Sequence, residues 1–143
     1  MEKGLDSGMN EEIRIPARND AIFRAMEFVS AYARGMTFEE KRIGEIQLAL
    51  EETLGNIIRF ACLAGSEEIV LTCTAHETGA ILVTIVDSGV PFNMLVMSTF
   101  PETTDASPDQ IPSTRRMKKA IRDVEYRRDG QEKKNILSWV ISR

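Results

Sequence analysis

Glu52 and Asn56 stand four residues apart in Leu50-Glu51-Glu52-Thr53-Leu54-Gly55-Asn56, and a later apolar run ends in Val86-Asp87-Ser88-Gly89-Val90-Pro91-Phe92. A carboxylate and an amide at this spacing share one face of a helix. Asn56 offers a neutral oxygen to Mg²⁺, which needs few protein ligands where phosphates and waters complete its octahedron. Glu52, one turn earlier, is placed to accept a proton from a hydroxyl or water that attacks a phosphate. An acid at the end of a buried strand, such as Asp87, can accept a hydrogen bond from the amino group of adenine, and Gly89 lets backbone approach closely. The same residues also have plainer roles. Glu52 and Asn56 fit a solvated helix face with charge pairing, and Asp87-Ser88-Gly89 fits a strand exit into a turn.

These residues need a helix and a strand to carry them. Residues 12–15 alternate and stop at Pro16, which predicts a short edge strand. Asn19 or Asp20 can cap a helix running to about Arg34 and closed by Gly35, with Ile22, Ala25, Met26, Val29 and Ala33 as its apolar stripe. Thr37 and Glu40 have the spacing of a capping box for a second, long helix ending near Ala64-Gly65. On it Ile43, Ile46, Leu50, Leu54, Ile57 and Ala61 fall within roughly 40° of Leu50, whereas Glu52 and Asn56 lie about 200° and 240° away, on a side shared with Glu45 and Arg59. Residues 68–76 and 80–87 read as a hairpin around Thr78-Gly79. Residues 93–112, with Pro101, Pro108 and Pro112, read as a long loop; a short helix to about Arg122 follows. Residues 124–128 and 135–142, joined at Asp129-Gly130, close the chain as a second hairpin. The order β-α-α-β-β-α-β-β predicts an α+β fold, a two-layer sandwich with helices on one face of a mostly antiparallel sheet.

The chain of 143 residues suits one domain over residues 12–143, behind a polar tail at 1–11. The net charge of −4 gives no general attraction to nucleic acid. A basic stretch between Arg115 and Lys134 lacks the interleaved aromatics of single-strand binders, so nucleic acid is not the expected partner. No apolar run reaches membrane-spanning length and no signal-peptide pattern opens the chain, so a cytoplasmic protein is expected. Cys62 and Cys73 show no ligand spacing and read as buried fillers. One histidine, His76, leaves a catalytic triad or histidine metal site without further members, and no P-loop motif occurs.

Taken in order, Ala49-Leu-Glu-Glu-Thr-Leu-Gly-Asn-Ile-Ile58, Val86-Asp-Ser-Gly-Val-Pro-Phe92, Val124-Glu-Tyr-Arg-Arg128 and Asn135-Ile-Leu-Ser138 resemble the anti-sigma-factor serine kinases, the switch kinases of sporulation and general stress. These belong to the histidine-kinase-like ATPase superfamily, with gyrase, a heat-shock chaperone and the mismatch-repair proteins. The resemblance covers residues 12–142. It implies helices layered on one side of a mixed sheet, ATP and Mg²⁺ between them, and a lid at about 93–114. It assigns Glu52 as general base, Asn56 as Mg²⁺ ligand, Asp87 as the adenine-binding acid and Gly89 as the glycine beside the base. Ser138 falls where the family usually has a threonine near the adenine. Members of this kind phosphorylate a serine on an antagonist protein, sequester a sigma factor and act as homodimers.

One region departs from that pattern. The family's lid ends in a glycine-rich box whose amides cradle phosphates, yet this chain has no glycine between Gly89 and Gly130. It reads Gln110-Ile-Pro-Ser-Thr-Arg-Arg-Met-Lys-Lys119 there, and Pro112 has no N–H to donate. Either Arg115, Arg116, Lys118 and Lys119 bind phosphates through side chains, or the fold serves as a protein-binding module without ATP turnover. Four cations at a helix start oppose its dipole and call for an anion nearby. Phe60 also stands where many relatives carry a histidine.

Overall fold

The computed structural model describes residues 10–97 and 112–143. Residues 1–9 of the predicted tail and 98–111 of the predicted lid lie outside them. The chain forms β1 (Glu11–Pro16), a single 3₁₀ turn (Asn19–Ala21), α1 (Ile22–Gly35), α2 (Glu40–Asn56), a π-helical turn (Ile57–Ala61), β2 (Glu68–Ala75) and β3 (Ala80–Asp87). Two short helices, α3 (Met94–Met97) and α4 (Arg115–Ala120), precede β4 (Asp123–Asp129) and β5 (Lys134–Ser142). β1 takes in Glu11, the last residue of the predicted tail. The architecture is the expected α+β type, and the sheet is simpler than the resemblance implied. Its order is β1-β2-β3-β5-β4, and every neighbouring pair is antiparallel.

The register explains which face is covered. Cys73, Val83 and Trp139 form one cross-strand row, and Leu71, Ile85 and Leu137 the next. All six are buried beneath the helices. Their neighbours along the strands, such as Val70, Thr72, Thr84, Val86 and Ile136, point to the other face and are half-exposed. The α2 stripe read from the sequence, Ile43, Ile46, Leu50, Leu54, Ile57 and Ala61, is buried throughout. Each of its large side chains contributes about 1.5–3 kcal/mol by leaving water. Cys62 and Cys73 are buried free thiols, and burial pushes both up to about 12.

Two predicted details of α2 differ. The capping box does not form: α2 starts behind Glu39 without a side-chain cap, and Thr37 is held at φ 64°. The Glu40 carboxylate instead accepts two hydrogen bonds from Arg34, at 2.8 and 3.1 Å, and is thereby committed away from the helix start. The α-helix also stops at Asn56 and continues only as the π turn, where the Cys62 N–H bonds the Ile57 carbonyl at 2.9 Å.

Arg42 ties α2 to the far end of the sheet. Its guanidinium donates to the carbonyls of Ala120 and Ser142 and to the Glu45 carboxylate, at 2.5, 2.9 and 3.0 Å. Arg42→Ala removes three bonds at once and is expected to cost about 2 kcal/mol. Urea unfolding checks this. Arg42→Lys should recover only part of the loss, because a single ammonium cannot reproduce the planar fork.

Candidate functional site

Asp87 ends β3 on the covered face of the sheet. The register aligns Ile15, Ile69, Asp87, Asn135 and Arg128 across the five strands, so three polar residues terminate an otherwise apolar layer. Asp87 is 3% exposed. Its Oδ1 accepts from the Gly89 N–H and from Asn135 Nδ2, both at 2.9 Å. Burial pushes the Asp87 carboxyl above the ordinary aspartate range. The bonds from Asn135 and Gly89 and the charge of Arg128 act against that, while Glu67 acts with it.

Sequence reasoning missed Asn135. Its Nδ2 also donates to the Val90 carbonyl at 2.8 Å, while its Oδ1 accepts from Tyr126 Oη at 2.6 Å and from the Phe92 N–H and Arg128 at 3.2 Å each. Arg128 donates to the Gly89 carbonyl as well, at 2.9 Å. One buried amide therefore fixes the whole exit from Asp87 to Phe92. The signal for it was an asparagine at the first inward position of an apolar strand, where a buried amide must be satisfied.

Ser138, assigned by resemblance to the adenine side, sits elsewhere. It pairs with Thr84 and Glu125 in the row that faces away from the helices. Successive residues of a strand point to opposite faces, so a buried Trp139 obliges Ser138 to point out. Asn135 holds the place beside Asp87 instead.

Gly89 is buried against the end of the π turn. A Cβ built on it would lie 2.2 Å from the Ala61 carbonyl oxygen, and the adjacent Val90 N–H bonds that same oxygen at 2.9 Å. Close backbone approach is thus required here, and the neighbour is the chain itself. Phe92 stacks on Phe60 with ring centroids 5.5 Å apart, and the Arg59 guanidinium lies 5.4 Å from the centre of the Phe60 ring.

At the other end of the π turn, Glu52 and Asn56 share one face of α2, as their spacing required, and both meet the start of α4. The Glu52 carboxylate accepts from Ser113 Oγ at 2.8 Å, from the Met117 N–H at 3.0 Å and from the Arg116 N–H at 3.3 Å. It is the anion that the basic start of α4 called for. Asn56 Nδ2 donates to the Ser113 carbonyl at 2.8 Å and touches Met94 Sδ at 3.6 Å. Arg115 and Arg116 line a cavity of about 350 Å³ together with Glu52, Ser113 and Lys119. A neighbouring depression of about 500 Å³ runs along Asn19, Glu51, Glu52, Gly55, Asn56, Ile58 and Arg59.

The fit to an adenine nucleotide with Mg²⁺ differs along the site. At Asp87 the donor-accepting carboxylate is held by two bonds to one oxygen, an arrangement suited to a base with an amino group. Asn56 commits its amide nitrogen, and its carbonyl oxygen makes no hydrogen bond among the described residues, which suits a hard cation. The described residues hold no cluster of three His, Cys, Asp or Glu, so a cation here would draw its other oxygens from phosphates and water. The phosphate end does not fit in the same way, because the Glu52 carboxylate already holds the amides and the hydroxyl there.

Among the described residues no helix is long and apolar enough to cross a membrane. No curated protein matches the sequence. The model of the histidine kinase-like ATPase domain matches residues 15–139, a span that begins in β1, ends in β5 and takes in Glu52, Asn56, Asp87 and Gly89. The chain belongs to the histidine kinase-like ATPase domain family.

Proposed function

We propose that this domain binds an adenine nucleotide with its base at Asp87 and Gly89, and that it regulates another protein. As in the anti-sigma-factor kinases, that partner is a sigma factor which it sequesters or an antagonist protein whose serine it phosphorylates. The observation that supports the reading most is the buried Asp87 held by Asn135 and the Gly89 N–H, at the end of a sheet face that α2 covers.

When bound, the nucleotide with Mg²⁺ supplies the γ-phosphoryl group. Asp87 accepts from the base and fixes its orientation. Asn56 gives the cation an oxygen. Arg115 and Arg116 offset phosphate charge through their side chains, since the glycine-free approach to α4 lacks the family's backbone nest. Glu52, once free of Ser113, takes the proton of the attacking serine hydroxyl as the new phosphorus–oxygen bond forms and the bond to ADP breaks.

Calorimetric titration with ATP and with ADP, each with Mg²⁺, tests the binding half of the proposal. Micromolar to sub-millimolar affinity is expected. No heat at millimolar nucleotide would rule the reading out. For the catalytic half, Glu52→Gln should abolish transfer of labelled phosphate to a partner serine while retaining ATP binding.

A second reading is a module that binds its partner without ATP turnover. It is favoured by the three bonds that already occupy Glu52 and by the absence of glycine between Gly89 and Gly130. It predicts partner binding that is indifferent to nucleotide.

A further inference from the structure

We propose that Glu52 is held in an autoinhibitory clasp, and that phosphate-bearing nucleotides must break it. This rests on the reading that an adenine nucleotide binds at Asp87 and Gly89. Both carboxylate oxygens are occupied: Oε1 by the Met117 N–H, and Oε2 by Ser113 Oγ and the Arg116 N–H. Asn56, one turn along α2, reinforces the contact through the Ser113 carbonyl. Three of the roughly four lone-pair sites of this carboxylate face donors within the chain, and the bonds fix its direction, so the clasped form hampers its approach to a substrate hydroxyl.

The surroundings say what would release it. Arg115, Arg116 and Lys119 share one cavity with Glu52 and Ser113. These three cations attract a phosphate group, whereas the carboxylate repels it at the same short range. A polyphosphate drawn to these cations repels the Glu52 carboxylate and drives it off Ser113 and the amides of Arg116 and Met117. Adenosine carries no phosphate and meets none of these groups. The clasp therefore sorts ligands by their phosphate content, and couples arrival of the phosphates to the freeing of the base.

Ser113→Ala tests this without changing a charge, at an exposed position. Adenosine and Mg²⁺–ATP are titrated into wild type and variant, with hydrogen exchange read at the amides of Arg116 and Met117. Loss of one charge-assisted bond should tighten ATP binding by about three- to tenfold, leave adenosine unchanged and speed exchange at both amides. Glu52→Gln should act in the same direction on ATP and again leave adenosine unchanged. ATP affinity that stays the same or weakens in Ser113→Ala, while adenosine binds, would overturn the clasp and spare the nucleotide reading. A gain shared equally by adenosine would also overturn it, because general loosening explains that result. No binding of either ligand to any of the three proteins would overturn the nucleotide reading itself, and the clasp as a regulatory contact with it.

Discussion

Gly89→Ala is expected to destabilise the domain by about 3 kcal/mol or more, one of the largest effects of a single added methyl group in this chain. The new Cβ would stand 2.2 Å from the Ala61 oxygen and 2.5 Å from its carbonyl carbon. Both are backbone atoms, so no side chain can rotate away. The carbonyl is further fixed by the 2.9 Å bond from the Val90 N–H. Either the π turn withdraws and that bond breaks, or the Asp87–Phe92 exit moves and Asn135 loses partners. Both outcomes leave buried polar groups unpaired, which adds to the steric cost. Urea denaturation measures the change. Gly44→Ala is the control: its Cβ meets nothing within 4 Å, it lies inside α2, and it should stabilise the domain by about 0.5–1 kcal/mol. A Gly89→Ala protein within 1 kcal/mol of wild type would show that the π turn yields freely, contrary to the packing described here.

Asp87→Asn is expected to separate binding from stability. One amide oxygen can still accept from Asn135 and from the Gly89 N–H, but the other terminal atom becomes a donor. Facing the amino group of a base, donor meets donor, and nucleotide affinity should fall by about ten- to a hundredfold, as titration calorimetry would register. Stability should move the other way. Burial raises the folded-state value of this carboxyl above its unfolded one. The folded protein then binds the proton more tightly than the unfolded chain does. The resulting stability is fully present below the unfolded value and is lost as pH rises through the folded one. Wild type should lose this increment across that acidic interval, and Asp87→Asn should not. Surface carboxylates such as Glu40 and the half-exposed Asp129 are shifted downward and oppose the trend in both proteins. The difference between the two unfolding profiles therefore isolates Asp87. A difference that does not vary with pH would contradict the assigned burial effect.

Much of this arrangement was legible in the sequence because it follows from period. The 3.6-residue repeat fixed which face of α2 is buried, and so placed Glu52 and Asn56 together on the other. The two-residue period of a strand put Asp87 on one face with Ile81, Val83 and Ile85, whereas the nearly continuous apolar run of 80–86 did not by itself say which face is inner. Ser138 was misread although the same rule applied: Trp139, the largest side chain of its strand, must be inside, so Ser138 must be out. Asn135 was missed because its role depends on register across three strands. No local pattern announces that its amide will meet Asp87, Tyr126 and Arg128 at once. The failed capping box has a similar cause. Thr37 and Glu40 have the right spacing, but Arg34 stands close enough in the fold to claim the carboxylate. The anion at α4 could be demanded from charge alone, whereas its identity as Glu52 required the three-dimensional contact.

The π turn between Asn56 and Gly89 sets a rule about chain length. An α-helical turn closes with one residue fewer, so deleting a single residue from 57–61 would let the helix run on with regular bonding. It would also swing everything beyond the deletion by about 100° around the helix axis. The Ala61 carbonyl would then turn away from Val90, and the exit that Asn135 holds would lose its abutment. The irregular turn thus acts as a phase adjuster between two parts that each prefer a different rotation. Side-chain substitutions there can be absorbed by repacking, but a change in residue number would repair the helix at the expense of the alignment between its polar face and the end of β3.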